Sequence, residues 1–314
     1  MSIINLIRNS FFFKKLSENS ISLHILTMES FVQKWRYMMN EMYEVSLDEK
    51  WKNATIANNF IFYKVMHNNP DVCKELLEIL LEIKIDKIEM KQEETIEIDY
   101  GKKGVRLDVY ATGANSAYNI EIQATDTGEL PERARYYSSV LDVDDLDSGS
   151  HYKNLRTNYV IFICIPDIFN KGLAKYTFEN LCIENPEIKL NDRSYKYFFI
   201  AKNYDKILNE RQKSFLKLVT DNSSTGEFSE KISKLVEDAK HNTQWRKQFM
   251  DLEREKAFAY QDGVTEGTQK KAIEDAVMLV KDYKETPEVA AQKMEAPLDL
   301  VMEELNKSKL AVTN

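Results

Sequence analysis

The stretch RLDVYATGANSAYNIEIQ, Arg106–Gln123, decides how the rest of the chain is read. Two short runs that alternate apolar and polar residues flank the turn-forming segment Gly113-Ala114-Asn115-Ser116. Strand side chains alternate between faces, so Leu107, Val109 and Ala111 point one way and Arg106, Asp108 and Tyr110 the other. In the second run Ile120 and Ile122 oppose Asn119, Glu121 and Gln123. A turn centred between Ala114 and Asn115 pairs Asp108 with Glu121 and Arg106 with Gln123. That register gathers both apolar sets on one face, and a slip of one residue would scatter them.

The same register sets two carboxylates side by side. Directly opposed acids repel. Either one of them takes up a proton with a raised pKa, or a cation sits between them. Mg²⁺ is commonly held by one or two carboxylates, with waters and substrate phosphates completing its shell. Such an ion generates hydroxide from water and stabilises the leaving oxygen of a phosphodiester. A backbone carbonyl near Ile122 is a further candidate ligand, and the Gln123 amide would hold the attacking water or a phosphate oxygen. The competing reading is a solvent-facing hairpin with an ordinary polar face, whose acids Arg106 neutralises.

Around the hairpin the pattern is mixed. WKNATIANNFIFYKVM (51–66) predicts a helix carrying Phe60, Phe62, Val65 and Met66, with Thr55, Asn58 or Asn59 as its cap. Asn69-Pro70-Asp71 opens a second helix over 71–83. Its apolar side is Val72, Leu76, Leu77, Ile79, Leu80 and Ile83, and Glu75, Glu78 and Glu82 share the other side. Strand-like runs follow at 94–100, 105–111 and 117–124. PERARYYSSVLD predicts a helix over 131–142, with Pro131 in its first turn. YVIFICIPDIF (159–169) reads as a strand buried on both faces, and RSYKYFFIAK (193–202) as another. This order predicts an α/β domain, a mixed sheet flanked by helices. Beyond residue 207 the chain is charged and helical, interrupted by the two glycines of QDGVTEG (261–267). It closes with two short helices, the first capped by Thr286 ahead of Pro287. The expected division is an N-terminal extension over 1–45, a core over 46–207 and a helical C-terminal region over 208–314. LHILTMESFVQKWRYMMNEM in the extension reads as one amphipathic helix.

Composition narrows the function. A chain of 314 residues buries a full core without staples. Cys73, Cys164 and Cys182 have no paired metal spacing and read as reduced thiols of an intracellular, cytoplasmic protein. Four histidines with no His-x-x-x-His pair argue against a zinc site. No apolar run approaches the roughly 18 residues of a membrane span, and the N-terminus lacks the pattern of a signal peptide. A net charge of −8 argues against a nucleic-acid coat protein. It leaves room for an enzyme that meets DNA through a local basic patch. A serine or cysteine hydrolase is disfavoured, because there is no Gly-x-Ser-x-Gly motif and the cysteines lack an obvious His partner.

On these residues the sequence resembles the PD-(D/E)XK nuclease family transposases, also described as Rpn recombination-promoting nucleases. NNFIFYKVM is similar to that family's Asn-Asp-Phe-x-Phe-Lys-x-Val entry helix, and NNPDVCKELLEILLEIKIDKI to the segment that follows it. GVRLDVYATG and YNIEIQ resemble its Asp and Glu-x-Gln motifs. LPERARYYSSVLDVDDLDSGSHYKNLRTNYVIFICIPDIF resembles its Arg-x-x-Tyr-Tyr helix, Gly-x-x-Tyr turn and long apolar strand. YQDGVTEG and the terminal helix pair resemble its tail. The resemblance runs from residue 48 to the C-terminus; each motif is loose, and their order is what makes it specific.

The resemblance implies a restriction-endonuclease-like core whose sheet carries the Asp and the Glu, with Mg²⁺, or Mn²⁺ in its place, driving cleavage of DNA. It implies Asp108 and Glu121 as catalytic metal ligands, and Gln123 as the catalytic residue where the wider superfamily has Lys. The superfamily often adds an acid from the preceding helix. Glu78 is the expectation for that ligand and Glu75 its competitor. Arg133, Tyr136 and Tyr137 are expected to meet DNA, Arg133 sharing a helix side with one of the two tyrosines. Lys64, at the entry-helix Lys position, reaches a phosphate or pairs with a nearby acid. Three functions compete: a Mg²⁺-dependent DNA endonuclease tied to recombination, mobile elements or phage defence; a catalytically decayed relative that binds DNA or a partner; and a toxin-like RNase on the same fold. The last helix pair could be a helix-turn-helix, but PLDLVMEELNK is acidic at its centre and poorly suited to phosphates. A role in joining copies of the chain is at least as well supported.

Overall fold

The computed structural model describes residues 43–91, 95–96, 105–106 and 108–310. The helix expected over residues 23–42 falls wholly outside them, as do Leu107 and residues 97–100. The chain divides into two units, one ending at Arg246 and the other beginning at Lys247.

The first unit opens with helix α1 (residues 43–53), then α2 (Asn59–Asn68) and α3 (Pro70–Leu81). Of the three candidate caps, Asn58 is the one used: its side chain accepts from the amides of Phe60 and Ile61. Two of the four orphan donors of the helix start are thereby satisfied. Pro70 starts α3, where its missing N–H costs nothing. Phe62, Val65 and Met66 of α2 and Val72, Leu76, Leu77, Ile79 and Leu80 of α3 are buried, as the helical periodicity predicts; Ile61 is buried where Phe60 was expected, Phe60 is half-buried, and α3 ends at Leu81, before the expected Ile83.

Six strands form one mixed sheet in the order β1-β4-β5-β6-β8-β7. They are β1 (Glu89–Met90), β4 (Val109–Thr112), β5 (Ser116–Gln123), β6 (Thr157–Cys164), β7 (Lys175–Phe178) and β8 (Ser194–Ile200). β5, β6 and β8 run parallel; β1, β4 and β7 are antiparallel to their neighbours. The crossover from β5 to β6 is helix α4 (Leu130–Asp145), which packs on β6. Its Leu130, Ala134, Tyr137, Val140 and Leu141 join Val160, Phe162, Cys164 and Phe198 in one core cluster. The other face of β4 and β5 is covered by α2. Beyond β8, α5 (Glu210–Asp221) packs on α3, and α6 (Glu227–Lys240) packs on α2 and α5. This is the mixed sheet with flanking helices expected of a restriction-endonuclease-like core.

The hairpin register is the expected one. Val109 faces Ile120 and Thr112 faces Ala117, which places Asp108 beside Glu121. The run 105–111 is nevertheless not one strand. Val105–Arg106 (β3) pairs with Thr95–Ile96 (β2) in a separate two-stranded sheet, Arg106 facing Thr95 rather than Gln123. The chain bends at Asp108, whose amide bonds to a side chain instead of a neighbouring strand. The apolar run 159–169 stops as a strand at Cys164, because Pro166 has no N–H to offer a ladder. Asp167 then clamps the turn, accepting from the amides of Phe169 and Gly172 and from the Tyr176 hydroxyl. β8 likewise ends at Ile200 and passes into a 3₁₀ turn over Ala201–Lys206.

Gly263 and Gly267, in the second unit, do not interrupt the chain: both lie inside helix α7, which begins at Thr243 and runs unbroken to Tyr283. The two closing helices are α8 (Pro287–Met294), capped by Thr286, and α9 (Leu298–Leu310). Ala276, Val277, Ala290, Ala291, Val301 and Leu305 form this unit's own small core. Among the described residues no helix is long and apolar enough to cross a membrane.

Candidate active site

Asp108 and Glu121 hold each other's strands. The Asp108 amide donates to Glu121 Oε1 at 3.0 Å, and the Ile122 amide donates to Asp108 Oδ2 at 3.4 Å. Each carboxylate thus accepts a backbone N–H from the opposite strand, at the point where the ladder ends. The bend at Asp108 is the visible result. These bonds fix both acids on rigid backbone, so their spacing does not depend on side-chain entropy.

Five further side chains join the cluster. Asn119, two residues before Glu121 on the same strand face, donates its amide to Glu121 Oε1 at 3.3 Å. Asn59, the first residue of α2, donates to Asp108 Oδ2 at 3.2 Å. Arg133, in the first turn of α4, donates Nη2 to Glu121 Oε2 at 3.1 Å and Nη1 to Gln123 Oε1 at 3.2 Å. The Tyr137 hydroxyl accepts from Arg133 Nη2 at 3.0 Å and from Nε at 3.3 Å. The N-terminal turns of α2 and α4 both meet the pair, and helix N-termini favour anions.

The site is not a wet surface. Glu121 is 1% exposed, Gln123 8% and Asn119 0%. The reading of this face as an ordinary solvated hairpin is therefore overturned: α4 lies across it. Burial, then the neighbouring Asp108 charge, pushes the Glu121 carboxyl well above the usual carboxylate range; the Asp108 amide, Arg133 and Asn119 pull the other way. A fully buried carboxyl beside a second carboxyl prefers to hold a proton unless a cation replaces it. A site with two carboxylates and no protein-built cage fits a hard divalent ion that keeps waters and takes ligands from a phosphate. Among the described residues no three His, Cys, Asp or Glu gather to hold a metal.

That also corrects the expectation for Glu78. Its Oε1 accepts the Ile85 amide at 2.9 Å and pairs with Lys74, tying down the chain that leaves α3. The Ile85 bond holds its carboxyl below the usual range. Glu75, the competitor, is bonded to Arg211 and Lys231. Both acids serve the helical layer and neither joins Asp108 and Glu121.

The remaining residues divide. Arg133 and Tyr137 come to the pair, Tyr137 standing behind the guanidinium with its ring stacked on Phe162. Tyr136 packs instead on the flank of the α4 core cluster. The Lys64 ammonium lies over the rings of Phe60 and Tyr63, 5.2 Å from each centroid. Two contributors were missed as site residues. Asn119 was legible, since the two-residue alternation already put it on the face of Glu121. Asn59 was not, because its contact spans 49 positions.

A family model described as PD-(D/E)XK nuclease family transposase matches residues 57–217, just over half of the chain. The matched span contains every residue of the cluster. No curated protein and no solved structure matches the chain.

Proposed function

The chain belongs to the PD-(D/E)XK nuclease family transposases, and from that premise we propose that it is a Mg²⁺-dependent DNA endonuclease acting inside the cell in recombination, transposition or phage defence. The observation that carries the reading is the reciprocal anchoring of Asp108 and Glu121 on each other's strand. It supports a binding site built for charge, at a place where an ordinary hairpin would carry ladder bonds.

In this reading Asp108 and Glu121 hold the divalent ion, with Mn²⁺ an acceptable substitute. Bound there, the ion would supply hydroxide from water and offset charge on the leaving oxygen. Asn119 and the Asp108 amide keep Glu121 Oε1 fixed, so that the carboxylate does not turn. Asn59 does the same for Asp108 from the start of α2. Gln123 aligns a water or phosphate oxygen through its amide, and Arg133 offers a planar fork matched to phosphate.

One observation favours the alternative, a decayed relative that only binds DNA or a partner. Glu121 already has a cationic partner in Arg133. Plasmid nicking separates the two. Supercoiled plasmid is incubated with the purified full chain in Mg²⁺, Mn²⁺ or EDTA, beside Asp108→Ala. The nuclease reading expects metal-dependent nicking that Asp108→Ala abolishes. Equal inertness of wild type and variant on duplex DNA, single strands and RNA would leave the binding module standing, and cleavage of RNA alone would favour the RNase.

A further inference from the structure

Arg133 occupies the one part of Glu121 that the backbone leaves open. Glu121 Oε1 already accepts two donors, the Asp108 amide and Asn119. Among the described residues its other oxygen, Oε2, accepts from Arg133 Nη2 alone. A carboxylate oxygen has two lone pairs, so an ion binding Glu121 must use Oε2 and must do so beside a guanidinium. In a group 1% exposed there is little water to screen that repulsion. The guanidinium is itself only partly buried, its side chain 26% exposed, and it backs onto the Tyr137 and Phe162 rings at 5.4 and 5.7 Å. Those rings give it a cationic resting place that does not depend on Glu121.

Gln123 adds the second half of the argument. Its Oε1 is taken by Arg133 Nη1, and a carboxamide carries no charge in any case. Arg133 is therefore the cation bonded to both Glu121 and Gln123, and it is held in the resting site.

We propose that Arg133 and the divalent ion exchange on Glu121: ion entry releases the guanidinium fork, which then grips the scissile phosphate as the cation that Gln123 is not. This rests on the nuclease reading above. It makes Arg133 both the latch of the ion-free site and a catalytic group of the loaded one. The fork suits both tasks because carboxylate and phosphate present the same paired oxygens.

The test uses the full chain and the variants Arg133→Gln and Arg133→Lys. Mn²⁺ affinity is measured without DNA, by titration following the free-ion electron spin resonance signal. Exchange expects Arg133→Gln to bind Mn²⁺ more tightly than wild type, by about 5- to 100-fold, the usual range for coupled ligands. It also expects kcat at saturating Mn²⁺ to fall by roughly 100-fold or more with KM for duplex little changed, as for loss of a transition-state donor. Arg133→Lys should recover part of kcat. If Arg133→Gln binds Mn²⁺ no better than wild type while wild type both binds the ion and nicks, the exchange is wrong and the nuclease reading stands. If wild type binds no Mn²⁺ and cuts nothing, the nuclease reading itself falls and takes the exchange with it. Should Arg133→Gln not fold, guanidinium NMR of wild type decides: Mg²⁺ must free the slowed rotation of the Arg133 side chain, and a signal unmoved at saturating Mg²⁺ overturns the proposal.

Discussion

Glu121 is held between opposing demands, and its response to pH follows from them. Burial and Asp108 raise its folded pKa above the ordinary value of 4.5. Between those two values the folded chain binds more protons than the unfolded one. The stability that protonated Glu121 contributes is therefore complete below the ordinary value and is lost as pH rises through the raised one. The metal-free protein should melt at lower temperature as pH climbs above the usual carboxylate range. Saturating Mg²⁺ should flatten that slope, because the ion takes the proton's place. Ion affinity should rise over the same window, with protons released on binding, which calorimetry in buffers of different ionisation heat measures directly. Asp108→Asn keeps an acceptor for the Ile122 and Asn59 donors while removing the like charge. It should raise the metal-free stability by up to about 1 kcal/mol, the scale of a cross-strand charge pair, and abolish ion binding. A variant more stable and inert is the signature of a site that is strained for function; a less stable Asp108→Asn would show that the two carboxyls do not repel.

Elements bring these residues together, and the start of α2 is the most exposed to test. Asn58→Ala removes the acceptor for the Phe60 and Ile61 amides and should cost about 1 kcal/mol in urea unfolding. Because Asn59 follows directly and bonds Asp108, nicking should fall with it. The helices, the hairpin register and the buried β6 run were legible in the sequence, since apolar periodicity and a turn of fixed length specify them locally. The end of the ladder at Asp108 was not. It comes from a side chain bonding a backbone amide 13 positions away, which leaves no periodic trace. Glu78 misled for a related reason: Glu75, Glu78 and Glu82 look alike on a helix surface, and only the path of the chain at Ile85 separates their roles. The glycines at 263 and 267 misled in the opposite direction. They read as a break, yet helix continues through them, and a Cβ at either would meet nothing within 4 Å. Gly263→Ala and Gly267→Ala should therefore each stabilise α7 by up to about 1 kcal/mol, seen as a higher melting temperature. Destabilisation at either position would mean that another surface closes on that stretch.

At the scale of the whole molecule, the proposed site lies in one part of the chain. Every residue of the cluster lies between Asn59 and Tyr137, within the unit that ends at Arg246. The second unit has its own core on α7, α8 and α9. Between the parts of α7 that carry buried residues, positions 255–271 are exposed throughout. A chain ended at Tyr260 keeps buried Phe249 and cuts only exposed helix. It should unfold cooperatively, bind Mn²⁺ as the full chain does, and nick plasmid within about threefold of it, a difference below about 1 kcal/mol in barrier. A folded fragment that binds the ion but no longer nicks would assign the C-terminal unit a part in the reaction. Sedimentation of fragment and full chain would then say which part. A full chain that self-associates where the fragment does not would mean that cleavage needs two copies joined through α7 to α9. A monomer in both cases would mean that those helices hold DNA, against their acidic composition, for a site that lacks the charge to hold it alone.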